Sequence, residues 1–189
     1  MPATTWLNRL IDESNTWFLA VKSEDSSRFV DAVIYYLKDA TECSRKQLQL
    51  QAALSCASAA SCLEKSGDAF QASKLYREAS MIYENNSKIV GKTIQERIWS
   101  LERAYYFSLL ARDVRRATEL HNQLLSIQIG NPISSDQAEQ KILEPAKSAG
   151  NVQTPQRNDV LEAIDEFLNI QHTPSHGLQE MAVGKQVMT

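Results

Sequence analysis

The side chains that could do chemistry in this chain are few and poorly placed for it. Cys56 and Cys62 are six residues apart and point to different faces of a helix, and Cys43 lies well upstream, so the three thiols do not converge as zinc ligands. His121 stands alone in a helical stretch. His172 and His176 have the four-residue spacing of a helical metal pair, but Pro174 between them breaks the helix that would align them. No glycine-rich phosphate loop follows a strand, and Gly67-Asp68 reads as a hairpin turn. We therefore expect no catalytic residue, no metal, no cofactor and no enzymatic activity. An odd number of cysteines in helical segments, with no apolar leader in MPATTWLNRL, points to a reducing cytoplasm.

Binding chemistry is better represented. Arg97, Arg103, Arg112, Arg115 and Arg116 concentrate in one stretch and could clamp a carboxylate or phosphate in bidentate fashion. Glu96, Glu102, Asp113 and Glu119 are interleaved at distances that suit local helix ion pairs, which favours a solvated face instead. A formal net charge of -3 gives no reason to expect a nucleic-acid partner. No stretch approaches the roughly 20 apolar residues of a membrane span; even Leu48 to Leu63 is punctuated by Gln and Ser.

Composition divides the chain near Gly130. Four of five prolines and four of six glycines fall from there onward. Residues 1–129 are rich in helix formers, and apolar residues recur at helical spacing, as expected of a packed all-α array. Residues 130–157 read as a flexible linker with room for a short helix, 158–171 as an amphipathic helix, and 172–189 as a disordered tail. In that helix Val160, Leu161, Ile164, Phe167 and Leu168 form one stripe, with Glu162, Asp165 and Glu166 opposite and Asn158 placed to cap it. So short a helix is marginal alone and must dock to be populated. The tail motif of Leu161, Ile164, Phe167 and Leu168 can cover an exposed end of its own array, close a groove as a lid, or enter a partner's groove. Its acidity and the arginines of the third hairpin also suggest docking there.

The most specific pattern is SGDAFQASKLYREASMIY after the helix-like AALSCASAASCLEK. Ala59, Ala60 and Leu63 line one helix, Gly67 and Asp68 turn the chain, and Ala72, Tyr76 and Ala79 form the inner stripe of the next. Upstream, Leu19, Ala20, Ala32 and Tyr36 match this register, with Ser27 for Gly and Asp39 for the last Ala. Downstream, Ala104, Tyr105, Asp113 and Ala117 fit, while His121 and Leu124 replace Tyr and Ala. Thr93 with Glu96 is a capping-box signature for the fifth helix.

These residues resemble the tetratricopeptide consensus over roughly residues 5 to 128. The steps of 40 and 45 residues from Ala32 to Ala72 to Ala117, against the usual 34, make the chain more similar to the soluble vesicle-fusion adaptor (SNAP) family. The resemblance implies an all-α, TPR-like α-solenoid of antiparallel hairpins, stacked in a short right-handed superhelix. A plain six-helix bundle also uses alanine at close crossings. It further implies a non-catalytic protein-interaction adaptor in which the first helix of each hairpin lines a concave groove. Trp17 and Val21, then Leu54, Ala57, Ser61 and Glu64, then Trp99, Glu102, Tyr106 and Leu109 are its candidate partner-binding residues, for a protein or peptide partner. Aromatics at helical spacing are equally candidates for core, and Trp99, Tyr105, Tyr106 and Phe107 on one helix must include some. Two other classes stay open: a structural subunit that uses the same surfaces in a stable oligomer, and a helical-bundle enzyme.

Overall fold

The same turn closes four of the helices among the described residues. The computed structural model describes residues 15–130 and 157–172. They form seven helices and no strand: α1 Thr16–Asp25, α2 Phe29–Arg45, α3 Gln49–Lys65, α4 Ala69–Ser87, α5 Ile94–Leu110, α6 Val114–Gly130 and α7 Arg157–His172. After α1, α2, α3 and α5 the chain passes through one left-handed residue: Ser27 (φ 57°), Gln47 (φ 59°), Gly67 (φ 90°) and Arg112 (φ 56°). That residue and its successor donate back into the helix just left. Gly67 N–H bonds Glu64 O at 3.0 Å and Asp68 N–H bonds Leu63 O at 2.9 Å, and the other three turns repeat the pair. This Schellman closure satisfies carbonyls that the helix end would leave open and reverses the chain at once.

N-terminal signals act as the residue types dictate. Asn15 caps α1 by accepting from Trp17 N–H at 2.9 Å, and Asp68 caps α4 through Gln71 N–H at 3.2 Å. Thr93 and Glu96 make a complete capping box at the start of α5. Hydrogen bonds from Thr93 backbone and hydroxyl hold the Glu96 carboxyl below the usual range. The α4–α5 connection departs from the pattern. Helix α4 is 19 residues long where its neighbours have 17, and residues 88–93 replace a three-residue turn. Together these account for the 45-residue second step.

Each of the first six helices packs against its neighbours in sequence, giving an antiparallel, all-α solenoid of hairpins, and α7 returns to pack on α2. Small residues set the spacing: Ala32, Ala40, Ala52, Ala53, Ala59, Ala60, Ala72, Ala79 and Ala104 have no exposed surface. Side chains of that size let neighbouring helices approach closely. Between α4 and α5 hydroxyls pin the register. Ser73 donates to Ala111 O at 2.8 Å and Ser80 to Ala104 O at 2.7 Å, one seven-residue step up α4 matched by one down α5. Asn86 donates to Ser100 at 2.8 Å further along the same seam.

The third-hairpin arginines largely behave as a solvated face. Arg115 and Arg116 pair with Glu119, Arg116 also reaches the buried Glu84, and Asp113 pairs with Arg77 of α4. Those arginines hold the Glu119 carboxyl below its ordinary value, Arg116 more than Arg115. Helix α7 begins at Arg157 and ends at His172, so Asn158 lies inside its first turn rather than ahead of it. Most of the expected linker and all of the chain beyond His172 lie outside the described residues, as do residues 1–14. No described helix is long and apolar enough to cross a membrane.

Candidate functional site

The repeat puts the candidate partner-binding residues at equivalent places on α1, α3 and α5. Along α5, Trp99, Glu102, Tyr106 and Leu109 recur at three- and four-residue steps, as Leu54, Ala57, Ser61 and Glu64 do along α3, so each set shares a helix face. Their fates differ. In the first two hairpins the face is clasped. Tyr36 of α2 donates its hydroxyl to Glu24 of α1 at 2.8 Å, and Tyr76 of α4 donates to Glu64 of α3 at 3.0 Å. Lys65 adds a 2.7 Å bond to Glu24. Burial first, and the neighbouring glutamates with it, pushes both tyrosine hydroxyls well above the ordinary phenol range, so they stay protonated donors.

The third hairpin has no such clasp. The tyrosine position is His121, whose ring lies tilted against Tyr105 at 5.6 Å, and the glutamate position is Leu109. Leu109 stays 47% exposed, with Trp99 at 42% and Tyr106 at 50% on the same face, and Leu54 of α3 at 50%. Ala57 is buried; Trp17 and Val21 are half-buried against the core; Ser61 is half-buried, and Glu64 and Glu102 are exposed.

Buried rings hold the exposed aromatics from below. Tyr83 of α4 meets Trp99 edge-on at 5.6 Å and stacks on Phe107 at 5.6 Å; Phe107 stacks on Tyr76 at 6.1 Å and meets Tyr106 edge-on at 5.4 Å. Such contacts fix ring orientation and contribute roughly 0.5–1.5 kcal/mol each beyond area burial. Arg103 lies over the Trp99 ring, 5.8 Å from its centroid. This part of α5 is a rigid, half-exposed aromatic and aliphatic surface with a guanidinium beside it.

On the opposite side of the stack α7 packs on α2, the second helix of the first hairpin, and reaches α4 through His172. Val160, Ile164 and Phe167 are buried within the main core, Phe167 completely, while Leu168 is half-buried against it and Leu161 half-buried. The acidic helix does not settle on the arginines of the third hairpin: its ion pairs run to α2 and α4. Glu166 meets Arg45 at 2.9 Å, Gln171 donates to Ser44, and His172 meets Glu78 of α4 at 3.4 Å. Val33, Leu37 and Thr41 share the α2 face that ends in Ser44, and all are buried. Burial raises Glu78 above the ordinary carboxylate value, against the opposing pull of His172.

Residue-type reasoning missed Arg45, Ser44 and Glu78. A signal existed for Glu78: it interrupts the apolar stripe Leu75, Ala79 and Ile82, where an acid is costly unless a partner comes to it. Asp39 does the same on α2. It is buried and accepts from Ser55 at 2.5 Å.

Among the described residues no group of three or more His, Cys, Asp and Glu side chains could hold a metal ion. All three thiols are buried. Desolvation pushes Cys56 well up and Cys62 up to about 12, so both pack as neutral thiols.

The chain matches no family model, no curated protein and no solved structure. Its likeness to tetratricopeptide and vesicle-fusion adaptor repeats thus rests on its own residues, and the structure carries it as far as an all-helical hairpin-repeat fold.

Proposed function

We propose that this protein is a non-catalytic interaction adaptor that grips a peptide or helix of a partner protein on the outward face of its odd-numbered helices. The TPR-like groove reading centres on the third hairpin, where Trp99, Tyr106 and Leu109 stand with Leu54 of the second. The supporting observation is the missing clasp: where the first two hairpins put a glutamate bonded to tyrosine, the third leaves Leu109 uncovered beside two anchored aromatics. Trp, Tyr and nearby Arg, already oriented, are the usual energetic anchors of an interface. Leu54, Trp99, Tyr106 and Leu109 are thus the binding core, Glu102 and Glu64 its polar rim, and Trp17 and Val21 a half-buried extension on the first hairpin.

The test is affinity purification with mass spectrometry on the wild type beside a W99A/Y106A variant of unchanged circular dichroism and melting temperature. The reading expects partners held by the wild type to be lost from the variant. Retention of every partner by the folded variant would remove the site. A stable dimer in sedimentation that dissociates on the same substitutions would instead make this face a permanent subunit contact.

A further inference from the structure

The face that α7 covers has the features of a helix-binding site already holding a ligand. Its apolar part takes Val160, Ile164 and Phe167, one residue per turn along a single stripe. Its polar part sits at the far end, where Ser44 and the buried Glu78 meet the last two residues of the helix. Arg45 marks the rim by pairing directly with Glu166 at 2.9 Å, both side chains more than half exposed.

Glu78 is the telling residue. Its side chain is 6% exposed, and its ion-pair partner is the imidazole of His172, 62% exposed and supplied by α7, the last described helix. A buried acid whose ion-pair partner comes from a later helix favours any helix that brings a permanent cation to it. A guanidinium keeps its charge at all working pH, whereas an imidazole loses its charge across the neutral range. Because a 16-residue helix is marginal in isolation, α7 leaves or docks as a unit.

We infer that the face formed by α2 and α4 is a second interaction site, and that α7 is a resident placeholder which a partner protein's amphipathic helix displaces. The fitting helix carries bulky apolar residues at the spacing of Val160, Ile164 and Phe167, an acid at the place of Glu166, and Arg or Lys at the place of His172. This site lies on a different face from the aromatic surface of α5 and does not depend on that surface being a binding site.

A fluorescent peptide with the sequence of residues 157–172 tests it by anisotropy. Its affinity is compared between the full wild-type chain and the full I164D/F167D chain, whose own helix is expelled. The inference expects at least tenfold tighter binding to the variant. A second peptide, carrying His172→Arg, should bind that variant several-fold more tightly than the first, and adding E78Q to the protein should erase the difference. Equal affinity for the wild type and the variant, or no binding to a variant that circular dichroism shows folded, would overturn it. If the double variant does not fold, the chain carrying E166R takes its place, with several-fold tighter peptide binding expected and unchanged binding overturning the claim. A wild-type dimer that separates in the variant would also overturn it, since a second copy's helix would then be the occupant.

Discussion

The two sides of this helical stack are built from the same repeat yet are finished differently. The even-numbered side of the first two hairpins ends under α7, which brings Phe167 and Ile164 into the core and a histidine to Glu78. Among the described residues no helix covers the odd-numbered side; two hairpins close it with tyrosine-glutamate bonds, and the third leaves Trp99, Tyr106 and Leu109 about half exposed. A stack of helical pairs always has apolar residues left over on its outward stripes, because each helix has neighbours on only part of its circumference. Those residues are covered by a later segment of the chain, tied off by polar clasps, or left exposed, and this chain does all three.

The largest test of the contrast pairs one aromatic from each side. Phe167→Ala empties a fully buried position and should cost about 3–5 kcal/mol if the helix stays docked. Undocking of α7 caps the loss, so amide exchange should quicken throughout α7 while α3 keeps its protection. Tyr106→Ala, on the half-exposed side, loses one edge-on ring contact and should cost only about 1 kcal/mol in urea unfolding. Equal destabilisation by both would erase the distinction.

The turns allow a smaller and signed comparison. Gly67→Ala forces a side chain onto a φ of 90°, with open space around it, so the cost is backbone strain of about 1–2 kcal/mol. Gln47→Gly, at the equivalent turn, should move stability the other way by relieving a left-handed non-glycine residue. Thermal melts of the two variants should bracket the wild type. Smaller again is Thr93→Ala, which removes one half of the α5 capping box and should cost about 1 kcal/mol in the same melts.

The least of these effects is a pH dependence at Glu78. Folding raises its proton affinity through burial, so its contribution is fully present below the unfolded carboxylate range and is lost as pH rises through the raised value. Glu78→Gln should therefore gain stability relative to wild type on going from acid to neutral pH, read from urea midpoints across that range. A constant difference would show that burial of the charge is not what shifts Glu78.

What the sequence made legible was mostly local. The Thr93-Glu96 box, the Asp68 cap and the Gly67 turn each depend on residues within one helical turn of one another, and each stands where residue type places it. Ala72, Tyr76 and Ala79 were readable because small residues at helical spacing have few other uses. The matching turns at Ser27, Gln47 and Arg112 could not be read the same way. Their left-handed residues are not glycine, and only the hydrogen-bonded ends of the flanking helices hold them there.

The candidate site was legible to a lesser degree. The stripe in α7 announced that it must dock, but the choice among its seats depends on where α2 and α4 lie in space, and the nearest cue, the arginines of the third hairpin, pointed elsewhere. His172 was separated from its helix by the influence assigned to Pro174, although the helix runs through it. Trp99 and Tyr106 could be placed on one face by spacing. Their exposure follows from Tyr83, Phe107 and the absent clasp, which involve residues from separate helices.

Hydroxyl-radical footprinting of the intact chain tests both sides at once, since side-chain oxidation reports exposure residue by residue. The account predicts rapid labelling of Trp99 and Tyr106 and slow labelling of Phe167 in the same sample. Phe167 labelled as fast as Tyr106 would mean that α7 does not cover the even-numbered side; protection of Trp99 and Tyr106 would mean that the proposed binding surface is not free.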